Sequence, residues 1–171
     1  MLDLNMRQGF TLIELLIVIG IMAILTSISV SQFQTAKKKA NDVARKSDLN
    51  SVSKALQMYF ADYGVMPDAS VDGKIIIRGV TLNWGDEFVD NGYVYIKKLP
   101  KENTSGMKPY CYKTDVTKKK YALFAQLENT TDKECGTPVN NVYQCGSDLS
   151  VRYCFAYVSP NTSLSADGTL Q

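Results

Sequence analysis

Gly9-Phe10-Thr11-Leu12-Ile13-Glu14 opens an apolar run that continues through Leu15-Leu16-Ile17-Val18-Ile19-Gly20-Ile21-Met22-Ala23-Ile24-Leu25 to Val30. Phe10 to Val30 is 21 residues, the length at which a helix crosses the ~30 Å hydrocarbon core of a bilayer. Glu14 is its one charge. A carboxylate at the centre of a spanning helix costs roughly 2.5–3.5 kcal/mol. Such a group is kept for a role, and a buried charge calls for a paired one.

The bulk composition narrows the rest. Beyond residue 30 some 141 residues remain, enough for a single core. The 19 basic and 17 acidic side chains leave a net charge of +2, which is no nucleic-acid signature. The chain has no histidine. This excludes Ser-His-Asp and Cys-His catalysis and histidine metal sites. No nucleophile motif stands out either, so no enzyme, no cofactor and no metal are expected. The four cysteines, Cys111, Cys135, Cys145 and Cys154, form no Cys-x-x-Cys pair. An even count beyond a membrane segment points to disulfides in an oxidising compartment.

After the apolar run, helical spacing continues through Phe33, Ala36, Ala40, Val43 and Ala44, then Leu49, Val52, Leu56, Tyr59, Phe60 and Tyr63. Lys38 with Asp42, and Asp42 with Lys46, fall at i,i+4 and are expected to pair along the outer surface. No proline or glycine interrupts residues 21–63, whereas Gly64 and Pro67 stop the pattern. One helix from Phe10 to Tyr63 is expected, apolar all round over 10–30 and amphipathic over 31–64.

The region 64–108 reads as a connection with little regular structure. Exceptions are a short strand at Ile75-Ile76-Ile77 and Val80, and a helical turn between Trp84 and Asn91. Tyr110–Asp115 and Tyr121–Leu127 flank Lys118-Lys119-Lys120 as a hairpin. Val151–Val158 is a third strand, with Val151, Tyr153, Phe155 and Tyr157 on one face. Residues 159–171 are polar and read as a loose tail, leaving a head over 65–158. The expected fold is α+β, a long N-terminal helix packed on a small antiparallel sheet. Among the three possible cysteine pairings the expectation is Cys135–Cys145, which closes one polar loop, with Cys111–Cys154 between strands.

The order Gly9-Phe10-Thr11-Leu12-Ile13-Glu14 before an apolar run resembles the class III signal of type IV pilins and type II secretion pseudopilins. Ala55-Leu56-Gln57-Met58-Tyr59-Phe60-Ala61-Asp62-Tyr63-Gly64 with Pro67 resembles the end of their long helix. Tyr95-Ile96-Lys97-Lys98-Leu99-Pro100-Lys101 resembles the segment before their sheet. The resemblance implies the pilin fold and a leader over residues 1–9. A prepilin peptidase would cut between Gly9 and Phe10 and methylate the Phe10 amine. It further implies a filament in which Glu14 meets the Phe10 amine of a neighbouring subunit. The implied partners are copies of itself and related pilins, the peptidase, an inner-membrane assembly platform and, before assembly, membrane lipid. The implied location is the inner membrane as a single-pass protein, then an extracellular or periplasmic filament. Two departures stand out. Many members carry proline where this chain has Ser31. Where secretion pseudopilins often bind calcium, Asp132, Glu134 and Asp148 are interspersed with Cys135 and Cys145, so disulfides are expected to staple that loop.

The functional expectation is a structural subunit of a type IV pilus or pilus-like filament. The alternatives are a type II secretion pseudopilin and a monomeric, membrane-tethered, disulfide-stapled binding module. A cleavable secretory signal would account for the apolar run but not for Glu14. Lys37-Lys38-Lys39 follows the run by about 10 Å of helix and suits either anionic lipid, a neighbour's acids or plain solvation. The positive-inside rule would hold these lysines in the cytoplasm; the resemblance implies the opposite side.

Overall fold

A computed structural model describes residues 9–129, 132–135, 143–148, 151–165 and 168–171. Of the leader expected over 1–9, all but Gly9 lies outside the described residues. The chain divides into two compact units, Met1–Lys38 and Lys39–Gln171. Helix α1, Leu12–Tyr63, begins in the first and ends in the second.

In the second unit, α1 buries Leu49, Val52, Leu56 and Tyr59. Steps of three and four put them in one stripe. That stripe also includes Asp42 and Arg45, and both are buried. The outer-surface pairs expected of Asp42 therefore do not form: Asp42 accepts from Arg45 and Lys46 turns to Asp132 and Glu134. Phe33 and Val43, placed on the apolar face by their spacing, are 71% and 65% exposed. The helix stops at Gly64, whose φ of +69° favours glycine. The Lys119 ammonium, 2.5 Å from the Gly64 carbonyl, supplies a cation at the negative end of the helix.

A three-stranded sheet and a hairpin follow where a connection with little regular structure was expected. Strands β1 (Asp68–Ala69), β2 (Ile75–Ile77) and β3 (Val80–Leu82) form an antiparallel sheet. Strands β4 (Phe88–Asp90) and β5 (Tyr93–Ile96) form another. The helical turn expected before Asn91 is thus a strand. Asn91 and Gly92 both have positive φ, the two-residue geometry that joins twisted antiparallel strands. Phe88 and Tyr95 from the two strands pack on Tyr59 of the helix.

The main sheet has the order β10-β7-β6. Its strands are β6 (Cys111–Thr114), β7 (Tyr121–Ala125) and β10 (Phe155–Val158). All of β7 is buried, and alternation sorts its side chains onto two faces. Tyr121, Leu123 and Ala125 join the helix stripe, whereas Ala122 and Phe124 join Cys111, Cys145, Val151 and Tyr153 beneath the sheet. The third strand expected over 151–158 breaks at Cys154. Residues Arg152–Tyr153 (β9) pair with Tyr143–Gln144 (β8) instead. Tyr153 consequently lies in the lower cluster, while Phe155 and Tyr157 pack on the upper one.

The disulfides are Cys111–Cys145 and Cys135–Cys154, not the expected Cys111–Cys154 and Cys135–Cys145. Strand β7 lies between β6 and β10, so Cys111 and the start of β10 stand about two strand spacings apart, ~9–10 Å. A disulfide needs Cα atoms within about 7 Å. The observed separations are 6.1 and 4.5 Å. Each bridge therefore ties a different part of the polar segment to the sheet. The C-terminal residues expected as a loose tail instead fold back. Leu164 bridges Leu170, Ser163 and Gln171 exchange backbone hydrogen bonds, and both leucines pack on the lower cluster. Two leucines at the right spacing suffice, which the low overall apolar content concealed.

The bridges close loops of 34 and 19 residues, stabilising by about 3–4 kcal/mol each in the loop-entropy model. Unreduced peptide mapping is expected to recover Cys111 linked to Cys145; a Cys111–Cys154 peptide would contradict the sheet order. Gly73 packs against this bridge, and a Cβ there would lie 1.9 Å from the Cys111 sulfur. Gly73→Ala should therefore cost about 2–4 kcal/mol from overpacking plus positive φ. Gly79→Ala, with positive φ but open space, should cost about 1 kcal/mol. Denaturant titration of both variants checks the difference.

Candidate functional site

The start of α1 is built around Thr11 and Glu14. Thr11 precedes the first helical residue, Leu12, and its carbonyl accepts from the Leu15 amide. The Thr11 amide and hydroxyl donate to Glu14 Oε2 at 2.9 and 2.8 Å, and the Glu14 amide donates to Thr11 Oγ1 at 3.3 Å. This reciprocal arrangement is a capping box. It aims the carboxylate back along the chain toward Phe10, because helical side chains tilt toward the N-terminus. Oε1 accepts no hydrogen bond and no cation pairs with Glu14 among the described residues. Gly9 has open space around it and Phe10 is 88% exposed. The three residues singled out in the sequence thus lie together at one uncovered helix start.

From Leu12 to Leu25 the large apolar side chains are all exposed. This is the one helix among the described residues that is long and apolar enough to cross a membrane. Two hydroxyls at the end of this run bond back to their own helix: Thr26 Oγ1 donates to the Met22 carbonyl and Ser27 Oγ to the Ile24 carbonyl. Polar atoms satisfied on their own helix leave an apolar outer surface. A side chain belongs at a core or in lipid when every exposed face is aliphatic.

The second unit contains a cluster that spacing rules did not flag. The Arg45 guanidinium is 3% exposed and binds three carboxylates. Nε donates to Glu102 at 2.5 Å, Nη1 to Asp42 at 2.7 Å and Nη2 to Glu128 at 3.0 Å, with Thr104 at 2.9 Å. Asp42 also accepts the Glu128 and Asn129 amides, both at 2.8 Å. Asn41 donates to Glu128. The loops around residues 102–104 and 128–129 are thereby fixed to the helix. The signal was present, since Asp42 and Arg45 continue the stripe of Leu49, Val52 and Leu56. It was hidden by the rule that charges face outward. Burial disfavours the Glu102 charge, but Arg45 and the Thr104 amide outweigh it and hold the carboxyl below its usual range. Asn41 chiefly, with Arg45, lowers that of Glu128. Of the acids expected in the stapled loop, Asp132 and Glu134 pair with Lys46.

Residues 4–30 match the family model described as the prokaryotic N-terminal methylation motif. The type II secretion system core protein G of Pseudomonas aeruginosa is 28% identical over 70% of this chain and 82% of its own length. That of Vibrio cholerae is 30% identical over 60% and 68% respectively. The type IV wide pilus major component PilA4 of Thermus thermophilus is 47% identical over 32% of this chain and 42% of its own. No solved structure matches significantly. The exposed apolar helix with its capped glutamate, the α+β unit and these relatives together are those of a pilin-type subunit. The chain belongs to the family of type IV pilins and type II secretion pseudopilins.

Removing Arg45 strands three carboxylates. Arg45→Met is expected to cost about 3–5 kcal/mol, as for breaking a buried ion pair, measured by chemical denaturation of the full chain in detergent. Glu102 and Glu128 have folded pKa values below their unfolded ones. The unfolded chain then binds more protons, so this stabilisation is complete above the unfolded carboxylate range, about pH 4.5. It is lost as pH falls through the depressed folded values. In Arg45→Met the two carboxyls lose their cation and their folded pKa values rise toward or above the unfolded ones. The acid-dependent loss should therefore shrink, and the deficit against the parent chain should narrow as pH falls; an unchanged pH dependence would show that the guanidinium does not set these carboxyls.

Proposed function

We propose that this protein is the structural subunit of a pilus or pilus-like filament, not an enzyme. The observation that carries the reading is the uncovered apolar surface of Leu12–Leu25, with Glu14 near its start. In a bilayer that surface is satisfied by lipid while the Glu14 charge is penalised. In a filament, helices of other subunits cover the surface, and the Phe10 amine of a neighbour, freed by cleavage after Gly9, pairs with Glu14. The open Oε1 is where that ammonium would dock. The capping box then has two tasks: it starts the helix, and it fixes the carboxylate before the partner arrives. Docking exchanges an unpaired charge in a poor solvent for an ion pair, which sets axial register as well as affinity. The partners are prepilin peptidase, an assembly platform in the inner membrane, and copies of this subunit or related pilins. The protein resides in the membrane before assembly and in an extracellular or periplasmic filament after it.

A secretion pseudopilus is the second reading. Its support is the long overlap with protein G, 82% of the Pseudomonas aeruginosa chain. Deleting the gene separates the two: loss of surface filaments supports a pilus, and loss of exported protein with filaments unaffected supports a pseudopilus.

The mature chain is expected to begin at Phe10 with a methylated amine, read by mass spectrometry, and a bulky residue in place of Gly9 should leave the precursor uncut. Glu14→Ala should insert in the membrane at least as well as the parent chain, since a charge is removed. Filaments seen by electron microscopy should fall at least tenfold. Wild-type filament numbers from Glu14→Ala would refute the ion-pair mechanism. A mature protein that stays monomeric in the membrane would instead support a tethered binding module.

A further inference from the structure

The run Lys37-Lys38-Lys39 is left unused by the assembly reading. All three lysines are exposed, and none has an acidic partner among the described residues. The acid best placed to neutralise Lys38, Asp42 one turn on, is turned inward to Arg45 and to the 128–129 amides. The buried cluster therefore leaves an uncompensated positive segment on this stretch of α1. The position of the segment matters as much as its charge. Twenty residues from Phe10 cover about 30 Å, the hydrocarbon thickness. Lys37 then lies about 10 Å further along the helix axis, and the interfacial layer extends roughly 5–8 Å beyond the hydrocarbon on each side. Helical side chains tilt toward the N-terminus, so lysines there extend back toward the surface from which the helix emerges. Their aliphatic stems follow the helix while the ammonium groups reach the phosphate level. Phe33, largely exposed between the span and the lysines, suits the same layer.

We propose that Lys37, Lys38 and the adjoining Lys39 bind anionic phospholipid headgroups in the membrane-resident subunit. The inference rests on the membrane-spanning reading of the apolar helix. It does not depend on which way the chain is oriented, since the lysines follow the span on whichever side α1 leaves the bilayer. Anionic lipid holds the subunit at a fixed depth and screens three like charges before assembly. Each lysine near an anionic surface is worth about a fivefold preference, reduced by salt.

The test uses the full chain reconstituted in vesicles of equimolar phosphatidylglycerol and phosphatidylcholine. Alkaline carbonate extraction first establishes whether the chain is integral; release into the supernatant overturns the spanning reading itself, and this inference with it. Retained protein is then extracted in mild detergent, and its bound lipid is counted by mass spectrometry. The expected result is phosphatidylglycerol enriched several-fold over the input ratio. The enrichment should vanish in the triple variant K37Q/K38Q/K39Q, persist in K37R/K38R/K39R and decline with added salt. Equal lipid ratios for the parent chain and the glutamine variant, both integral, overturn this inference while leaving the span intact. A glutamine variant with parental lipid ratios but no filaments would assign the lysines to a neighbouring subunit's acids instead, and would equally overturn it.

Discussion

One stripe of α1 has to be covered, and the second unit is arranged to cover it. Asp42, Arg45, Leu49, Val52, Leu56 and Tyr59 follow one another at helical spacing and are all buried. The apolar members share a core with Tyr121, Leu123 and Ala125 of β7, with Ile75 and Ile77 of β2, and with Phe88 and Tyr95 of the β4-β5 hairpin. The charged members cannot be covered the same way. A buried guanidinium needs several acceptors to offset its lost hydration, and Arg45 takes them from three separate segments. That requirement fixes the loops at 102–104 and 128–129, from which the chain enters and leaves the main sheet. Hydrophobic burial supplies the larger energy; the ion cluster restricts which loop arrangement accompanies it.

The first unit is governed by the opposite condition. From Leu12 to Leu25 its large aliphatic side chains are exposed, and among the described residues Glu14 is held only by Thr11. An exposed surface of this kind belongs in contact with lipid or with other helices. A carboxylate there gives direction to an interaction that aliphatic packing alone would leave free to slide. The same chain therefore contains a unit stabilised by internal closure and a unit whose apolar side chains from Leu12 to Leu25 are left exposed. Disulfides add to the closure of the former. Cys111–Cys145 lies beneath the sheet, against Gly73 and close to Gly146, and Cys135–Cys154 anchors the short helical turn Lys133–Cys135 to the start of β10.

Much of this was legible in the sequence because it depends on near neighbours. The helix stop at Gly64 and Pro67, the hairpin around Lys118, the apolar length from Phe10 and the position of Glu14 four residues on are local properties. The capping box of Thr11 and Glu14 is equally local, three residues apart, but it was recognised only in the structure. What escaped reading were features in which distant residues decide. Asn91-Gly92 marks a turn, but whether the preceding segment is helical or extended depended on Phe88 packing against Tyr59 and Tyr95. Leu164 and Leu170 looked too few to order a C-terminal segment until the lower cluster gave them a surface.

The sequence by itself determined the long helix, the membrane-compatible length of its start, the α+β class and the candidate residues Gly9, Phe10 and Glu14. The helix, its apolar length, the fold class and the lone charge of Glu14 follow from periodicity, composition and spacing within a few turns of chain, whereas Gly9 and Phe10 were singled out by the resemblance of the motif to a known signal. Only the tertiary structure decided that Asp42 and Arg45 face inward, because their acceptors Glu102 and Glu128 lie 57 and 83 residues away from Arg45. Only the tertiary structure decided the disulfide pairing as well. Placing β7 between β6 and β10 separates Cys111 from Cys154 by more than a sulfur bridge can span, and strand order is a long-range property that no local pattern encodes.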